Sequence, residues 1–367
     1  MTRRTLTAMV LTIGLAASLR AEDKPQEPQY AFEDIIVPAA SADEPIRPAF
    51  SAERAVDYLE RGAKAWTEKR DCVSCHTNGC YMLTRPALTA LVGPPAPDMR
   101  VFFVEQLAEM KKEDRAKLRE GLKPTQVAYV AAGLAEWDSH VAKTLSEETK
   151  AALELMFDVQ SEDGSFRNLD CWPPLESSHF HGATVAAMAA ATAPGWLASL
   201  PADSPLTKRH EKLKSYLTST KPANDYESLL LLWAAARSPS LLLEARRMEI
   251  IDRVFSLQRA DSGWALRALG TPESWGGGNR AGKLRAEPEF ADPPSDGHAT
   301  GLAVLALREA GVPKTDPRIV KAVAWIKSNQ RESGRWWTRS LNTDKQHYIT
   351  YSGACYPLLA LAKCDAW

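Results

Sequence analysis

Apolar residues recur at helical spacing along nearly the whole chain after residue 50. The pattern predicts helices near 51–68, 73–92, 99–119, 123–137, 146–159, 179–193, 206–217, 224–238, 241–257, 296–311, 317–329 and 347–363. Alternating stretches of strand type are hard to find. Twelve helices in consecutive pairs predict an all-α fold, a single (α/α)6 toroid with an inner ring of six and an outer ring of six. The Gly/Pro-rich stretch from Trp264 to Pro294 is predicted to be irregular, and loops of that length often lie over a site.

Three stretches share a further pattern: LMFDVQSEDGSFRNLDCW (Leu155 to Trp172), VFSLQRADSGWALRALG (Val254 to Gly270) and WIKSNQRESGRWWTRSL (Trp325 to Leu341). Each runs from an apolar helix through Gln and a few polar residues to Gly and an aromatic. The anchors are Gln160/Gly164/Phe166, Gln258/Gly263/Trp264 and Gln330/Gly334/Trp336. A helix start rich in small residues follows each: HGATVAAMAA at His181, GHATGLAVLAL at Gly297 and YSGACYPLLAL at Tyr351. Repeated helix pairs of this kind cannot bury their faces alone and must stack on one another. Gly supplies a tight turn, Gln bonds loose backbone groups and the aromatic fills the gap between helices.

These Gln-Gly-Trp turns resemble the repeats of the squalene–hopene cyclase and prenyltransferase superfamily, from Ser51 onward and most closely after Leu155. The resemblance implies an α/α barrel around a mostly apolar cavity that holds terpenoid or prenyl chains. Cyclases of that family carry Asp-x-Asp-Asp at an inner-helix start. The best match here is DGHATGLAVLAL, in which Asp296 keeps the first acid, His298 stands in the proton-donor position and Ala299 replaces the third acid. Asp296 and His298 are therefore the candidate catalytic pair. An imidazolium, titrating near ~6.5, is far too weak to protonate an alkene, so alkene cyclisation is expected to be lost. Prenyltransferase relatives use zinc held by Asp, Cys and His; Asp292, Asp296, His298, His347 and Cys355 offer those residue types. His179, His181, Tyr226, Trp264, Trp336 and Tyr351 are the expected lining of the ligand cavity.

The N-terminus changes the chemical setting. Arg3 and Arg4 precede an apolar stretch from Leu6 to Leu19 and a small-residue end at Ala21, which predicts a secretory signal over residues 1–21. Residues 22–50 are rich in Pro, Ala and acids and are expected to form an exposed lead-in segment, with the toroid spanning 51–367. No later stretch is long and apolar enough to span a bilayer. The expectation is an exported protein, periplasmic or secreted. A net charge of −1 with no basic stripe gives no electrostatic case for nucleic acid; 45% hydrophobic and 25% charged residues suit a globular chain.

In that setting the stretch DCVSCHTNGC, Asp71 to Cys80, stands out. Cys72, Cys75 and His76 form C-x-x-C-H, the signature by which haem c is attached. If one helical turn carries them, both sulfurs and the imidazole face one macrocycle edge, with Met99, Met110, His140, His179 or His181 as a distal ligand. Three alternatives stay open: a zinc-type cluster of Cys72, Cys75, His76 and Cys80, a disulfide among these cysteines or with Cys171, and packed thiols with a hydrogen-bonded His76. Two function classes follow. One is an exported toroid that binds an apolar isoprenoid-like molecule and carries haem c for work with a redox partner. The other is a non-catalytic lipid- or partner-binding toroid with a stapled turn. A divergent cyclase or prenyl-type enzyme is a third, so the sequence leaves enzymatic activity undecided.

Overall fold

The computed structural model describes residues 27–169, 172–176 and 178–367; the signal expected over 1–21 and the pairing expected of Cys171 lie outside them. Twelve helices of seven residues or more form the described chain: α1 Ala52–Arg70, α2 Asn78–Thr84, α3 Pro97–Lys112, α4 Lys123–Trp137, α5 Glu147–Val159, α6 His179–Thr192, α7 Pro205–Ser219, α8 Asp225–Arg237, α9 Glu244–Ser256, α10 Gly297–Glu309, α11 Pro317–Ser328 and α12 Ile349–Lys363. The even-numbered helices form an inner ring, each packed on the next, and α12 returns onto α2 to close it. The odd-numbered helices lie outside. The fold is the all-α toroid of six inner and six outer helices.

Side-chain pattern decides which helix goes where. In α10 every residue from Gly297 to Leu307 is buried, as suits a helix wrapped on all sides. In α11 only Ile319, Ala322, Trp325 and Ile326 are buried, a single stripe at spacings of three and four. Polar caps start several helices: Ser51, Ser146, Ser204, Asn224, Asp296 and Asp316 each accept a bond from a backbone N–H of the first turn. Inner helices approach closely where small residues meet. A Cβ on Gly301 of α10 would lie 2.4 Å from Pro357 of α12.

The three repeat turns superimpose in their bonding. Gln160, Gln258 and Gln330 each donate through Nε2 to the carbonyl four residues on: Gly164 (3.0 Å), Ser262 (2.9 Å) and Gly334 (3.0 Å). The same nitrogen also bonds the start of the next outer helix, at Arg209 O (3.1 Å), Arg318 O (3.0 Å) and Ser51 O (2.9 Å). The left-handed residue is therefore Ser262 in the second repeat (φ 77°), not the expected Gly263, and the spacing becomes uniform. Trp264 and Trp336 turn back on their own outer helices, their indole N–H groups donating to Val254 O and Ile326 O at 2.7 Å.

Two expectations need correction. The lead-in is only partly exposed: it forms a hairpin, β1 Tyr30–Phe32 and β2 Ile35–Val37, that packs on the toroid with Tyr30 and Val37 buried while residues such as Ile36 and Ile46 face outward. Arg335, buried after the third repeat turn, draws it in by donating to Gln29 Oε1 (2.9 Å), Pro38 O (2.8 Å), Ala39 O (2.7 Å) and Glu44 Oε2 (2.7 Å). The Glu44 carboxylate thus neutralises a buried guanidinium. The second correction concerns the helix expected from residue 73, which starts only at Asn78. Among the described residues no helix is long and apolar enough to cross a membrane.

Candidate ligand site at the ring axis

Cys72 to His76 lies in the turn between α1 and α2, outside either helix, so the three side chains do not share a helical face. Cys75 points inward and its thiol donates to Glu176 Oε1 at 3.5 Å. His76 goes elsewhere. Its ring stacks on Tyr348 (4.9 Å) and meets the edge of Trp66 (4.6 Å), and its Nδ1 bonds Thr77 Oγ1 at 2.8 Å. Burial holds the His76 pKa down at about 4. Haem c attachment needs both sulfurs at the macrocycle's edge and the imidazole free to reach the iron over its face. As placed, the His76 ring is taken up by Tyr348, Trp66 and Thr77 and the Cys75 thiol by Glu176, an arrangement that does not fit the group. The turn is held instead by Asn78, which accepts from Ser74 N (2.8 Å) and donates to Cys72 O (3.0 Å) and Thr67 Oγ1 (3.1 Å). The five described cysteines carry free thiols.

Metal ligation meets the same difficulty. Among the described residues no three His, Cys, Asp or Glu side chains converge as ligands, for the His76/Cys80 cluster or for the Asp292–Cys355 set. Asp292 pairs with Arg259 at the surface, and His347 accepts from Ser340 N at 3.1 Å. Asp296 is a helix cap: its carboxylate accepts from Ala299 N (2.9 Å), Leu266 N (2.5 Å) and Thr338 Oγ1 (3.2 Å). Burial raises its pKa to about 6, against those bonds. The described donors to the Asp296 carboxylate lie on α10 itself and on the loops at Leu266 and Thr338, so its oxygens are engaged as a cap that ties those loops to α10.

The axis itself is lined by one polar or aromatic side chain after another from the inner helices. Tyr129 of α4 bonds His181 Nε2 of α6 through its hydroxyl at 2.9 Å. His181 stacks on Tyr226 of α8 (6.2 Å), and Tyr226 stacks on His298 of α10 (5.7 Å). His298 meets the edge of Tyr356 of α12 (5.0 Å), and Trp275 of the long loop packs on Tyr226 (5.8 Å). Burial depresses both histidines to about 3, so they are neutral at ordinary pH and neither is a proton donor of cyclase type.

The bonding of this stack is incomplete. Ser352 Oγ donates to Ile349 O (2.9 Å), so its 2.8 Å contact with His298 uses the Nδ1–H of the ring as donor. That leaves His298 Nε2 as a bare acceptor, and it has no partner. Neither do His181 Nδ1, the Tyr226 hydroxyl, the Trp275 indole N–H or Glu176 Oε2, all sealed from solvent. A buried polar atom left unpaired costs about 1–3 kcal/mol. Five such atoms lie around this one axis. Glu176 sits over it from the loop before α6; burial lifts its pKa to about 7, with the Cys75 bond opposing.

Of the expected lining, His181 and Tyr226 meet at the axis, where His298, expected as half of the catalytic pair, joins them. Trp264 and Trp336 do not: they seal the seams between outer and inner helices. Tyr351 also looks outward, its hydroxyl donating to Leu59 O of α1 at 2.5 Å. His179 lies on the rim of an external cleft of about 900 Å³ with Arg167, Lys208, Arg209 and Lys212. The implied open cavity is filled at this level by contacting rings. Tyr129, Glu176, Trp275, Ser352 and Tyr356 were missed because nothing in a single helix pattern separates a core aromatic from one facing an axis. For Trp275 the run WGGG was a readable signal, because a large aromatic before three glycines marks a side chain with a free backbone behind it.

No family model matches the chain and no curated protein matches it. Among solved structures it is similar to an arginine-to-alanine variant of the type II terpene cyclase MstE from Scytonema, in complex with its substrate geranylgeranyl dihydroxybenzoate. The TM-score is 0.45 and the identity 12%, over 86% of this chain and 99% of that one.

Proposed function

We propose that the protein is an exported ligand-binding toroid whose axis takes an apolar, isoprenoid-like molecule carrying a hydroxyl group. The observation that carries this is the set of unpaired atoms on the stacked rings of His181, Tyr226 and His298. A ligand hydroxyl donates to His298 Nε2 and accepts from the Tyr226 hydroxyl, while the aromatic and aliphatic walls take the apolar body. Because the axis is packed, entry requires a side chain to leave, and Trp275 is an aromatic of the stack that is carried on a loop. Gly276 and Gly278 behind it have φ of 97° and 69°, a conformation that lets the chain pivot without strain.

Displacement of an apolar fluorescent dye by farnesol, a long isoprenoid alcohol, against the hydrocarbon farnesene tests the reading. Farnesol is expected to bind more tightly, and Tyr226→Phe to weaken farnesol alone by about 3–10-fold, the worth of one hydrogen bond. Equal binding of the two, or indifference to Tyr226→Phe, overturns it. So does a pyridine haemochrome signal in protein from a haem c-competent host that disappears in Cys75→Ala, which would restore the redox reading.

A further inference from the structure

The external cleft of about 900 Å³ lies between the first repeat turn and α7, and Arg119, Arg167, Lys208, Arg209 and Lys212 all line it. Glu162 and Asp163 are the carboxylates among its lining residues, which leaves a net charge of +3 with His179 neutral. Asp163 is turned to its own loop, accepting from Ser165 N (3.0 Å) and Ser165 Oγ (2.7 Å). None of the five cations pairs with a carboxylate among the described residues, whereas Lys214 on the same helix holds Glu211 at 3.0 Å. Lys208 and Lys212 stand one turn apart on α7, a like-charge spacing that is unfavourable unless an anion sits against it. We propose that this cleft binds a phosphorylated sugar.

Two of the cations are fixed before any ligand arrives. Arg119 Nη2 donates to Asp158 O and Arg209 Nη1 to Phe157 O, each at 2.6 Å, so both guanidinium groups rest on the last turn of α5 and keep donors to spare. A phosphate ester presents up to two negative charges and three acceptor oxygens, which guanidinium forks and ammonium groups both match. Two such groups answer a net charge of +3, and the body that joins them fills a cleft of small-molecule size. Gln160 says what that body carries. It is 5% exposed, it lines the same cleft, and its Oε1 has no partner. The same oxygen of Gln330, in the third repeat, accepts from Ser51 N at 2.7 Å, so this position is made to receive a donor. A phosphate dianion has none to give; a sugar hydroxyl does.

Fructose 1,6-bisphosphate, titrated calorimetrically into the full chain at low salt, is the probe, with fructose, inorganic phosphate and phosphatidylglycerol vesicles beside it. The bisphosphate is expected to bind saturably and about tenfold more tightly than inorganic phosphate, and fructose not to bind. Added salt should weaken it, because the lysine ammonium groups are exposed. Lys208→Gln and Lys212→Gln should each lower its affinity about 5–10-fold, with the urea midpoint of the protein unchanged or raised. Inorganic phosphate binding as tightly as the bisphosphate overturns the inference, as does an affinity indifferent to both lysine substitutions. Capture on the vesicles with the bisphosphate inert also overturns it and makes the cleft a membrane-facing patch. Dye displacement at the axis is scored apart from this titration, since Lys208 and Lys212 lie on an outer helix and either site can fail while the other binds.

Discussion

Gln330 and Ser51 clasp one another from opposite ends of the toroid. Ser51 N donates to Gln330 Oε1 at 2.7 Å, and Gln330 Nε2 donates back to Ser51 O at 2.9 Å. The last repeat turn is thereby tied to the first outer helix, a function no local pattern around Gln330 announces. Gly334 makes the clasp possible. Its φ is 95°, and a Cβ there would lie 2.1 Å from the Arg54 carbonyl oxygen. Gly334→Ala is expected to cost about 3 kcal/mol or more, from left-handed strain and a backbone clash that cannot relax by rotating a side chain. Urea unfolding measures it. A loss below about 1 kcal/mol would mean that the turn can move away from α1.

The Tyr226 hydroxyl bonds nothing in the protein, so removing it separates binding from folding. Tyr226→Phe should leave stability unchanged or raise it by about 1 kcal/mol, because an unpaired buried hydroxyl disappears. Farnesol affinity should fall while farnesene affinity holds. Lost stability in urea would mean that the hydroxyl already has a partner.

Trp275 fills the axis from a loop that Asn224 holds through Ser274 O at 3.1 Å. Trp275→Ala should raise the association rate of an apolar dye by about tenfold and cost about 3–5 kcal/mol of stability through the cavity it leaves. Stopped-flow mixing gives the rate. An unchanged rate would show that the ligand enters elsewhere.

The ring architecture was legible because inner and outer helices differ in how much of their circumference is apolar, and that is written locally: α11 carries one stripe and α10 has none. The repeat was legible for the same reason, since Gln, a left-handed residue and an aromatic act within seven positions. Its register slipped by one only where Ser262 takes a conformation normally left to glycine. What the sequence concealed depends on pairs far apart in the chain. The lead-in looked solvent-exposed because the guanidinium it serves, Arg335, comes some three hundred residues later. Cys72, Cys75 and His76 looked like one site because they are consecutive. The fold separates them, giving Cys75 to Glu176 and His76 to Tyr348. His181 and His298 looked unrelated until Tyr226 stacked between them.

Asp296, in the position of a cyclase acid, is expected to behave as a cap. Asp296→Asn keeps one acceptor oxygen and swaps the other for a donor facing donors, so it should cost about 1–3 kcal/mol of stability. Ligand affinity of the folded protein should not change, because both carboxylate oxygens are engaged by donors of the cap. A variant of full stability with lost binding would return Asp296 to the site.

The buried imidazoles make stability depend on pH with a definite sign. His181 and His298 titrate near about 3 in the folded state and His76 near about 4, against 6.5 when unfolded. The unfolded chain therefore takes up protons first as pH falls. The stability these rings contribute is present above about 6.5 and is lost below it, each ring costing about 2 kcal/mol between pH 7 and pH 5. Glu176 and Asp296 act in the opposite direction. Their folded pKa values, raised to about 7 and about 6, favour the protonated folded state and return about 3 kcal/mol over the same interval. Among these five groups the three rings outweigh the two acids by about 2 kcal/mol. The His210 and His347 rings, also held low by burial, act in the same direction, against the buried Glu227, so the protein should be weaker at pH 5 than at pH 7. His298→Asn places an amide N–H where Nδ1–H meets Ser352 and removes one titrating ring. The gap between urea midpoints at the two pH values should then narrow in the variant by the share of one ring, about 2 kcal/mol. A variant that keeps the full acid loss would mean that His298 is already protonated in the folded state, and that its Nε2 is no acceptor for a ligand hydroxyl.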